Sequence, residues 1–245
     1  MKRTKRNLLI TSAALIILLA ALCTYLLGFY LPKRRERDET EKMIREYYAA
    51  KLEAYREENE KYDDYEVDVA FIGDSLTDGY DLKTYYPDLL TANRGIGGET
   101  THGLEDRLGI SLYELKPKVA VMLIGGNNLD TMLDNYESIL IGIRDNLPET
   151  KVILLSLTSM GKTLAEKNKI AAYNNVTVKK LADKYGFAYV DLYTPLFDEV
   201  TGEINSLYTT DGAHLTHEGY TVFTSTVTPA IVAALAEYEA GRKAP

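Results

Sequence analysis

The sequence predicts an α/β domain in which helices cover both faces of a five-stranded parallel sheet, and two observations lead to this prediction. Five short apolar segments have the length and composition of buried strands, at 67–72, about 90–95, 119–124, 152–157 and 187–191. Longer segments with helical spacing of apolar residues lie between or after them, at 101–115, 129–146, 165–185 and about 217–240. Strands that alternate with helices along a chain form parallel sheets that are buried on both faces.

The chain has 245 residues, which fall into three segments of different composition. Basic residues at 1–6 and an apolar run at 8–31 predict a cytoplasmic leader and a transmembrane anchor over 1–32. Residues 33–65 are highly charged and predict a helical linker or stalk. The remainder, 66–245, has the length of one domain and can bury a complete core.

Composition and residue spacing argue against a nucleic-acid partner and against a metal ion. The net charge is -8 at pH 7, whereas a protein that binds nucleic acid needs a basic face, so we expect no nucleic-acid partner. Cys23 is the only cysteine, which rules out a disulfide within the chain and a cysteine-based metal site. Histidines and carboxylates do not cluster at metal-ligand spacing either, so we expect no metal.

The apolar run is long enough to cross a membrane. Between Asn7 and Pro32 there is no charged side chain, and Leu8 to Leu31 would form about 36 Å of helix. That length exceeds the ~30 Å hydrocarbon core of a bilayer. The alternative is a cleaved signal peptide, whose apolar region would be ~7–15 residues long and followed by a small-x-small cleavage site. The segment 20–23 offers no good site of that kind, so we predict an uncleaved anchor.

The orientation of this anchor is predicted from its flanking charges. Four basic residues precede the apolar run and four follow it closely, so the positive-inside rule is nearly balanced: Lys2, Arg3, Lys5, Arg6, Lys33, Arg34, Arg35 and Arg37. A short basic leader followed by an apolar run is typical of an export signal. We therefore predict a single-pass protein of the cell membrane whose domain lies outside the cytoplasm.

The charged segment carries an apolar stripe with helical spacing, formed by Ile44, Tyr48, Leu52, Tyr55 and Tyr62. One interpretation is an amphipathic helix that packs on the domain or stands as a stalk. The other is a coiled coil that forms a homodimer through residues 36–65. The stripe is shorter than four heptads, which favours the stalk.

Four short motifs carry the functional information. Gly73-Asp74-Ser75-Leu76 follows the first predicted strand, and a serine there lies at the sheet edge where α/β proteins bind ligands. The other motifs follow in order at 93–98 (Asn-Arg-Gly-Ile-Gly-Gly), 125–128 (Gly-Gly-Asn-Asn) and 211–214 (Asp-Gly-Ala-His). In this order they resemble the SGNH (GDSL-type) superfamily of serine esterases and lipases, in a membrane-anchored bacterial form. The resemblance spans 67–220 and implies a flavodoxin-like three-layer sandwich, a hydrolase domain at 66–245 and no cofactor.

A serine hydroxyl needs a base to become a nucleophile, and the chain has only three histidines. His214 lies three residues after Asp211, a spacing that lets the carboxylate on the same loop meet the far nitrogen of the imidazole. The resemblance assigns the nucleophile to Ser75, the base to His214 and the orienting carboxylate to Asp211. We expect His217 at the surface start of the last helix. His102 follows the glycine loop and could line the site, but we expect it on a solvent-facing helix.

Ester hydrolysis also needs hydrogen-bond donors directed at the oxyanion. The resemblance implies the backbone N–H groups of Ser75 and Gly98 and the side chain of Asn127. Glycine lets a backbone N–H approach a ligand closely, and Asn127 follows a predicted strand. Asn128 departs from the aspartate that the family usually has there, which leaves the reaction unchanged but bears on the local geometry.

Other motifs do not match their families. Gly161-Lys162-Thr163 lacks the first glycine of a phosphate-binding loop, because Ser156 stands there. Gly95-Ile96-Gly97 lacks the third glycine of a dinucleotide loop, because Thr100 stands there. Residues 73–77 do not form Gly-x-Ser-x-Gly, so an α/β-hydrolase nucleophile elbow is disfavoured.

The expected activity is hydrolysis of short-chain or acetyl esters through an acyl-serine intermediate, on a small molecule or on an envelope or extracellular glycan. A lysophospholipase or thioesterase near the membrane is one alternative, because residues 8–31 would hold the site close to a bilayer. A domain that binds glycans or partners without turnover is the other, but intact Ser75, Asp211 and His214 argue against it.

Overall fold

The computed structural model describes residues 2–243 and has the predicted five-stranded parallel sheet. The strand order is β2-β1-β3-β4-β5, and every neighbouring pair is parallel. The strands are β1 (Val69–Gly73), β2 (Thr91–Gly95), β3 (Val119–Leu123), β4 (Lys151–Leu155) and β5 (Ala188–Val190). Every residue of the central strands β1 and β3 is buried, because helices cover both faces of a parallel sheet. The predicted fold class is therefore confirmed.

The helices of the domain connect the strands or follow the sheet. They are α3 (Ser75–Asp78), α4 (Leu82–Tyr85), α5 (Thr101–Asp106), α6 (Leu133–Asn146), α7 (Asn168–Tyr185), α8 (Tyr193–Leu196) and α9 (His217–Lys243). Short π-helical and 3₁₀ turns occur at Gly109–Tyr113, Gly126–Asn128 and Lys162–Lys167. A small antiparallel pair is formed by β6 (Phe197–Asp198) and β7 (Glu203–Ile204).

Helix α7 forms where its apolar spacing predicts a helix, but a different face is buried. The apolar residues at helical spacing within 165–185 are Ile170, Tyr173, Val176 and Leu181. The first three are exposed, whereas Leu181 is partly buried against the core. The buried face instead carries asparagines, of which Asn174 donates to the Leu129 carbonyl at 2.8 Å. Ala171, Val178 and Ala182 are buried on the same face, and the buried amides satisfy loop backbone groups that no strand or helix pairs. Apolar burial and polar contacts therefore orient the helix together.

The amino-terminal part of the chain is helical and apolar. Helix α1 (Lys2–Tyr25), a π-helical turn (Leu26–Tyr30) and α2 (Leu31–Asn59) follow one another without a break. The run from Asn7 to Asn59 contains an 18-residue window of mean hydropathy 2.4, and none of that window is buried. By length and composition it is a candidate for one membrane span, and a signal sequence would have the same properties.

A second helix, His217–Arg242 within α9, is also long and apolar enough to span a membrane. Its apolar residues have another explanation, since Phe223, Val227 and Ile231 are buried in the core of the domain. Helix α9 is therefore a core helix.

The described chain divides into two compact units between Lys51 and Leu52. The predicted segments 1–32, 33–65 and 66–245 remain predictions, and their outer ends at residues 1, 244 and 245 lie outside the described range. Helix α2 ends at Asn59, before Tyr62, which packs against the domain core beyond the helix end. A helix over these residues is compatible with a stalk and with a coiled coil, and does not distinguish the two. The homodimer through residues 36–65 therefore also remains a prediction.

Gly95, the last residue of β2, allows a very close backbone approach. A Cβ atom there would overlap with the backbone of Thr77 and Asp78 in α3. We predict that Gly95→Ala lowers the free energy of unfolding by about 3 kcal/mol, near the upper end of the usual cost of overpacking. Gly109→Ala is the matched control, because nothing lies within 4 Å of a Cβ at Gly109. Chemical denaturation measures both, and equal effects of the two substitutions would contradict the predicted overlap.

Candidate active site

The four sequence motifs converge at the carboxyl edge of the sheet. Ser75 begins α3 directly after β1, and Gly98 lies in the loop that follows β2. Asn127 lies in the 3₁₀ turn after β3, and His214 lies in the loop before α9. The carboxyl ends of parallel strands meet at one edge of a sheet, so residues far apart in sequence meet there.

Ser75, His214 and Asp211 form a continuous chain of hydrogen bonds. The Oγ of Ser75 lies 3.1 Å from Nε2 of His214, and Nδ1 of His214 lies 2.6 Å from Oδ2 of Asp211. A carboxylate only accepts, so we assign the imidazole proton to Nδ1. Nε2 is then left as an acceptor for the Ser75 hydroxyl.

The loop 211–214 is fixed by its own aspartate. Oδ1 of Asp211 accepts the backbone N–H groups of Ala213 at 2.9 Å and His214 at 2.8 Å. The hydrogen bond from the His214 ring and these two backbone donors hold the pKa of Asp211 well below its ordinary value. Asp211 is therefore ionised at neutral pH and holds the imidazole in one orientation.

The two proposed oxyanion donors outside α3 lie in segments that are bonded to each other. Gly98 has a φ of +77°, a conformation that favours glycine, and Nδ2 of Asn127 donates to the Glu99 carbonyl at 2.8 Å. An amide nitrogen carries two protons, so this bond leaves the second N–H of Asn127 for another acceptor. Asn127 lines the cavity beside Ser75, whereas Gly98 is not among the cavity-lining residues.

A buried ion pair, which the sequence analysis missed, supports the loop that carries Gly98. Nε of Arg107 donates to Oε2 of Glu99 at 2.8 Å, and both side chains are almost wholly buried. Nη1 of Arg107 donates to the carbonyl of Arg94, and Nη2 donates to the carbonyl of Gly73, each at 3.0 Å. One guanidinium thus joins the ends of β1 and β2 to the glycine loop.

Asn128, where the family usually has aspartate, bonds across the same loop. Its Oδ1 accepts the Thr101 N–H at 3.2 Å, and its Nδ2 donates to the Thr101 hydroxyl at 2.9 Å. An amide provides both an acceptor and a donor here, which accounts for asparagine at this position.

The motif residues open onto a cavity of about 320 Å³. Ser75, Asn127, Asp211 and His214 line it. The other lining residues are mostly apolar, among them Leu123, Leu157, Met160 and Leu164, and include the charged Asp74 and Lys167. Such a cavity accepts a group with an apolar part next to a polar reacting centre.

The other two histidines lie outside this hydrogen-bonded chain, as expected. His217 begins α9, is exposed, and its Nδ1 lies 2.7 Å from the hydroxyl of Tyr85. His102 is an exposed residue of α5. Within residues 2–243 no group of three or more His, Cys, Asp or Glu side chains has metal-binding geometry.

Asp74 is a buried carboxylate directly before Ser75. Its Oδ1 accepts the Leu76 N–H at 3.1 Å and thereby caps the start of α3. Burial raises the pKa of Asp74 to about 6, although its bond to Leu76 and the nearby His214 act in the opposite direction.

This shift predicts a pH-dependent stability. Because the pKa of Asp74 is higher in the folded than in the unfolded protein, the folded state binds the proton more tightly. The resulting stabilisation, on the order of 3 kcal/mol, is fully present below about pH 4 and is lost as the pH rises to about 6. Asp74→Asn cannot titrate, so its Tm relative to wild type should rise between pH 4 and pH 7.

Melting curves across this pH range measure the difference, and Asp88→Asn, at an exposed carboxylate, is the control. A difference in Tm between Asp74→Asn and wild type that stays constant from pH 4 to pH 7 would contradict the raised pKa.

Comparison with known proteins is consistent with this geometry. The profile of the GDSL-like lipase/acylhydrolase family matches residues 71–222. A proposed platelet activating factor from Streptococcus pneumonia is 25% identical with a TM-score of 0.71, over 81% of this chain and 99% of that one. A proposed acylhydrolase from Bacteroides fragilis is also 25% identical, with a TM-score of 0.68. The match covers 75% of this chain and 97% of that protein.

An acetylxylan esterase from Geobacillus stearothermophilus, 22% identical, has the same fold with a TM-score of 0.57 over 69% of this chain and 95% of that one. No curated protein sequence matches the chain significantly. The family profile covers more than half of the chain and includes the Ser75 motif and the Asp211–His214 loop. The chain therefore belongs to the GDSL-like lipase/acylhydrolase family and is an ester-hydrolysing enzyme.

Proposed function

We propose that the chain is a serine esterase in which Ser75 is the nucleophile, His214 the general base and Asp211 the residue that orients it. The observation that carries this proposal is the unbroken chain of hydrogen bonds from Asp211 through His214 to Ser75 at the cavity. A serine with a hydrogen-bonded base, itself oriented by a third group, is the arrangement that covalent acyl transfer needs.

The reaction has two halves. Ser75 Oγ attacks the ester carbonyl carbon while its proton moves to Nε2 of His214, and ionised Asp211 stabilises the imidazolium that forms. The tetrahedral intermediate then breaks its bond to the alcohol oxygen, which takes the proton from His214 and leaves an acyl-serine. Water loses a proton to His214, attacks the acyl carbon, and the acid departs as Ser75 regains its proton.

The negative charge on the carbonyl oxygen needs donors that are in place before the reaction. We assign this role to the backbone N–H groups of Ser75 and Gly98 and to the Asn127 side chain. Support comes from the Asn127 bond to Glu99, which fixes the amide and leaves one N–H for the oxyanion.

The proposed substrate is a short-chain or acetyl ester, on a small molecule or on an envelope or extracellular glycan. The small cavity with an apolar wall supports a short acyl group, and the fold shared with an acetylxylan esterase makes an acetylated glycan a specific candidate. A lysophospholipid is the second candidate, because the exposed apolar helix would bring the domain to a bilayer. A series of nitrophenyl esters of increasing acyl length distinguishes them, since a short-chain esterase loses kcat/KM as the chain lengthens.

The roles of the site residues predict a graded set of activity losses. Ser75→Ala and His214→Ala should each lower kcat on nitrophenyl acetate by at least ~10³-fold, because members of one catalytic unit fail together. Asp211→Asn should cost less than either, because the base survives in a poorer orientation. His217→Ala is the matched control and should retain wild-type turnover.

Melting curves of each variant check that the fold is intact. A folded Ser75→Ala protein with wild-type turnover would refute the nucleophile assignment. An inactive His217→Ala together with an active His214→Ala would show that the base is misassigned.

We further propose that residues 8–31 are an uncleaved membrane anchor and that the domain lies outside the cytoplasm. Protease added to intact protoplasts should then degrade the domain, because no membrane protects it. Protection until lysis would reverse the orientation. A mature protein that begins near residue 24 would indicate a cleaved signal peptide instead.

A further inference from the structure

We propose that the carboxyl-terminal end of α2, residues 52–59, positions the loop that carries the oxyanion donor Gly98. The positioning residues are Tyr55 and Glu58, which act through Arg94 and Gly95 at the end of β2. This inference rests on the proposed function, since it assigns a catalytic consequence to the geometry of the Gly98 loop.

The end of α2 surrounds the side chain of Arg94. Glu58 forms an ion pair with Nη1 of Arg94, and Oδ1 of Asn59 accepts from Nη2 at 2.9 Å. The guanidinium carbon lies 4.8 Å from the centre of the Tyr55 ring, within the range of a cation–π contact. Three residues of one helix end therefore contact a single guanidinium of β2.

Arg94 depends on these contacts because it is completely buried, with 0% of its side chain exposed. Its Nε has no hydrogen-bond partner among residues 2–243. A buried charge that loses its partner is strongly unfavourable. Glu58 is one-third exposed and provides the carboxylate that compensates the buried charge, so the helix end and the strand end are held together.

Two routes lead from this contact to the oxyanion donors. The hydroxyl of Tyr55 donates to the carbonyl of Gly95 at 2.6 Å, and Gly95 is the last strand residue before the loop with Gly98. The carbonyl of Arg94 itself accepts from Arg107, whose Nε holds Glu99 directly after Gly98.

The Glu99 carbonyl also accepts from the side chain of Asn127. The end of α2 thus holds the end of β2 in place, and the end of β2 in turn positions the loop that carries Gly98. Asn127 is bonded to the same loop. A displacement of a catalytic group by about 1 Å can cost up to 10²-fold in rate. Misplaced donors should lower kcat and leave KM nearly unchanged, because oxyanion donors act mainly in the transition state.

The test compares two neighbouring glutamates in the full-length protein in detergent. Glu58→Gln removes the charge that pairs with Arg94, whereas Glu57→Gln makes the same change at an exposed position of the same helix. With nitrophenyl acetate, Glu58→Gln should lower kcat about tenfold, less than loss of a whole donor, which costs about 10²–10³-fold. KM should stay within about twofold, and Glu57→Gln should match wild type.

A double-mutant cycle with Asn127→Ala separates positioning from a general loss of structure. If Glu58 acts through the oxyanion donors, its effect should shrink in the Asn127→Ala protein, because one of the donors that it positions is already missing. Equal effects of Glu58→Gln in both backgrounds would overturn the proposal. So would a change in KM alone.

If Glu58→Gln fails to fold, Tyr55→Phe provides the test, because it keeps the ring against Arg94 and removes the hydroxyl that bonds to the Gly95 carbonyl. An unchanged kcat in folded Tyr55→Phe would overturn the proposal, and a reduced kcat with unchanged KM would support it. Activity in Ser75→Ala would instead refute the proposed function, so the two failures are distinguishable.

Discussion

The site depends on one buried guanidinium, that of Arg107. It donates to the carbonyl of Gly73, directly before the Asp74-Ser75 step, and to the carbonyl of Arg94 at the end of β2. It also pairs with Glu99 in the glycine loop. Carbonyls and a carboxylate from three separate segments thus share one cation, and the planar fork of arginine fixes their spacing more tightly than an ammonium group could. The position of Ser75 relative to the Gly98 loop follows from this arrangement.

Two carboxylates near the same imidazole have opposite electrostatic environments. Asp211 is half exposed and accepts three hydrogen bonds, which lower its pKa and keep it charged. Asp74, directly before Ser75, is buried, and the cost of burying its charge raises its pKa to about 6. The two environments therefore keep Asp211 ionised at neutral pH, whereas Asp74, which caps α3, gains a proton in mild acid.

Local patterns predicted the sheet and the motif residues. Buried strands are apolar runs, three of the motifs lie where such a run ends, and the fourth lies directly before the last helix. The supporting contacts could not be predicted in this way. Arg94 and Arg107 are charged residues whose burial depends on partners up to 36 positions away, and no local spacing indicates those pairings. The exposed stripe of α7 at Ile170 and Tyr173 was misleading for a related reason, since buried asparagines bind loop carbonyls that only the folded chain brings near.

The central claim is that hydrolysis passes through an acyl group on Ser75. Mixing the wild-type protein with nitrophenyl acetate, quenching with acid within the first turnover and analysing the peptides by mass spectrometry tests this most directly. The account predicts one acetyl group on the peptide that contains Ser75, and no such group in the Ser75→Ala protein. Turnover at the wild-type rate without any acetylated Ser75, or with the acetyl group on another residue, would contradict it.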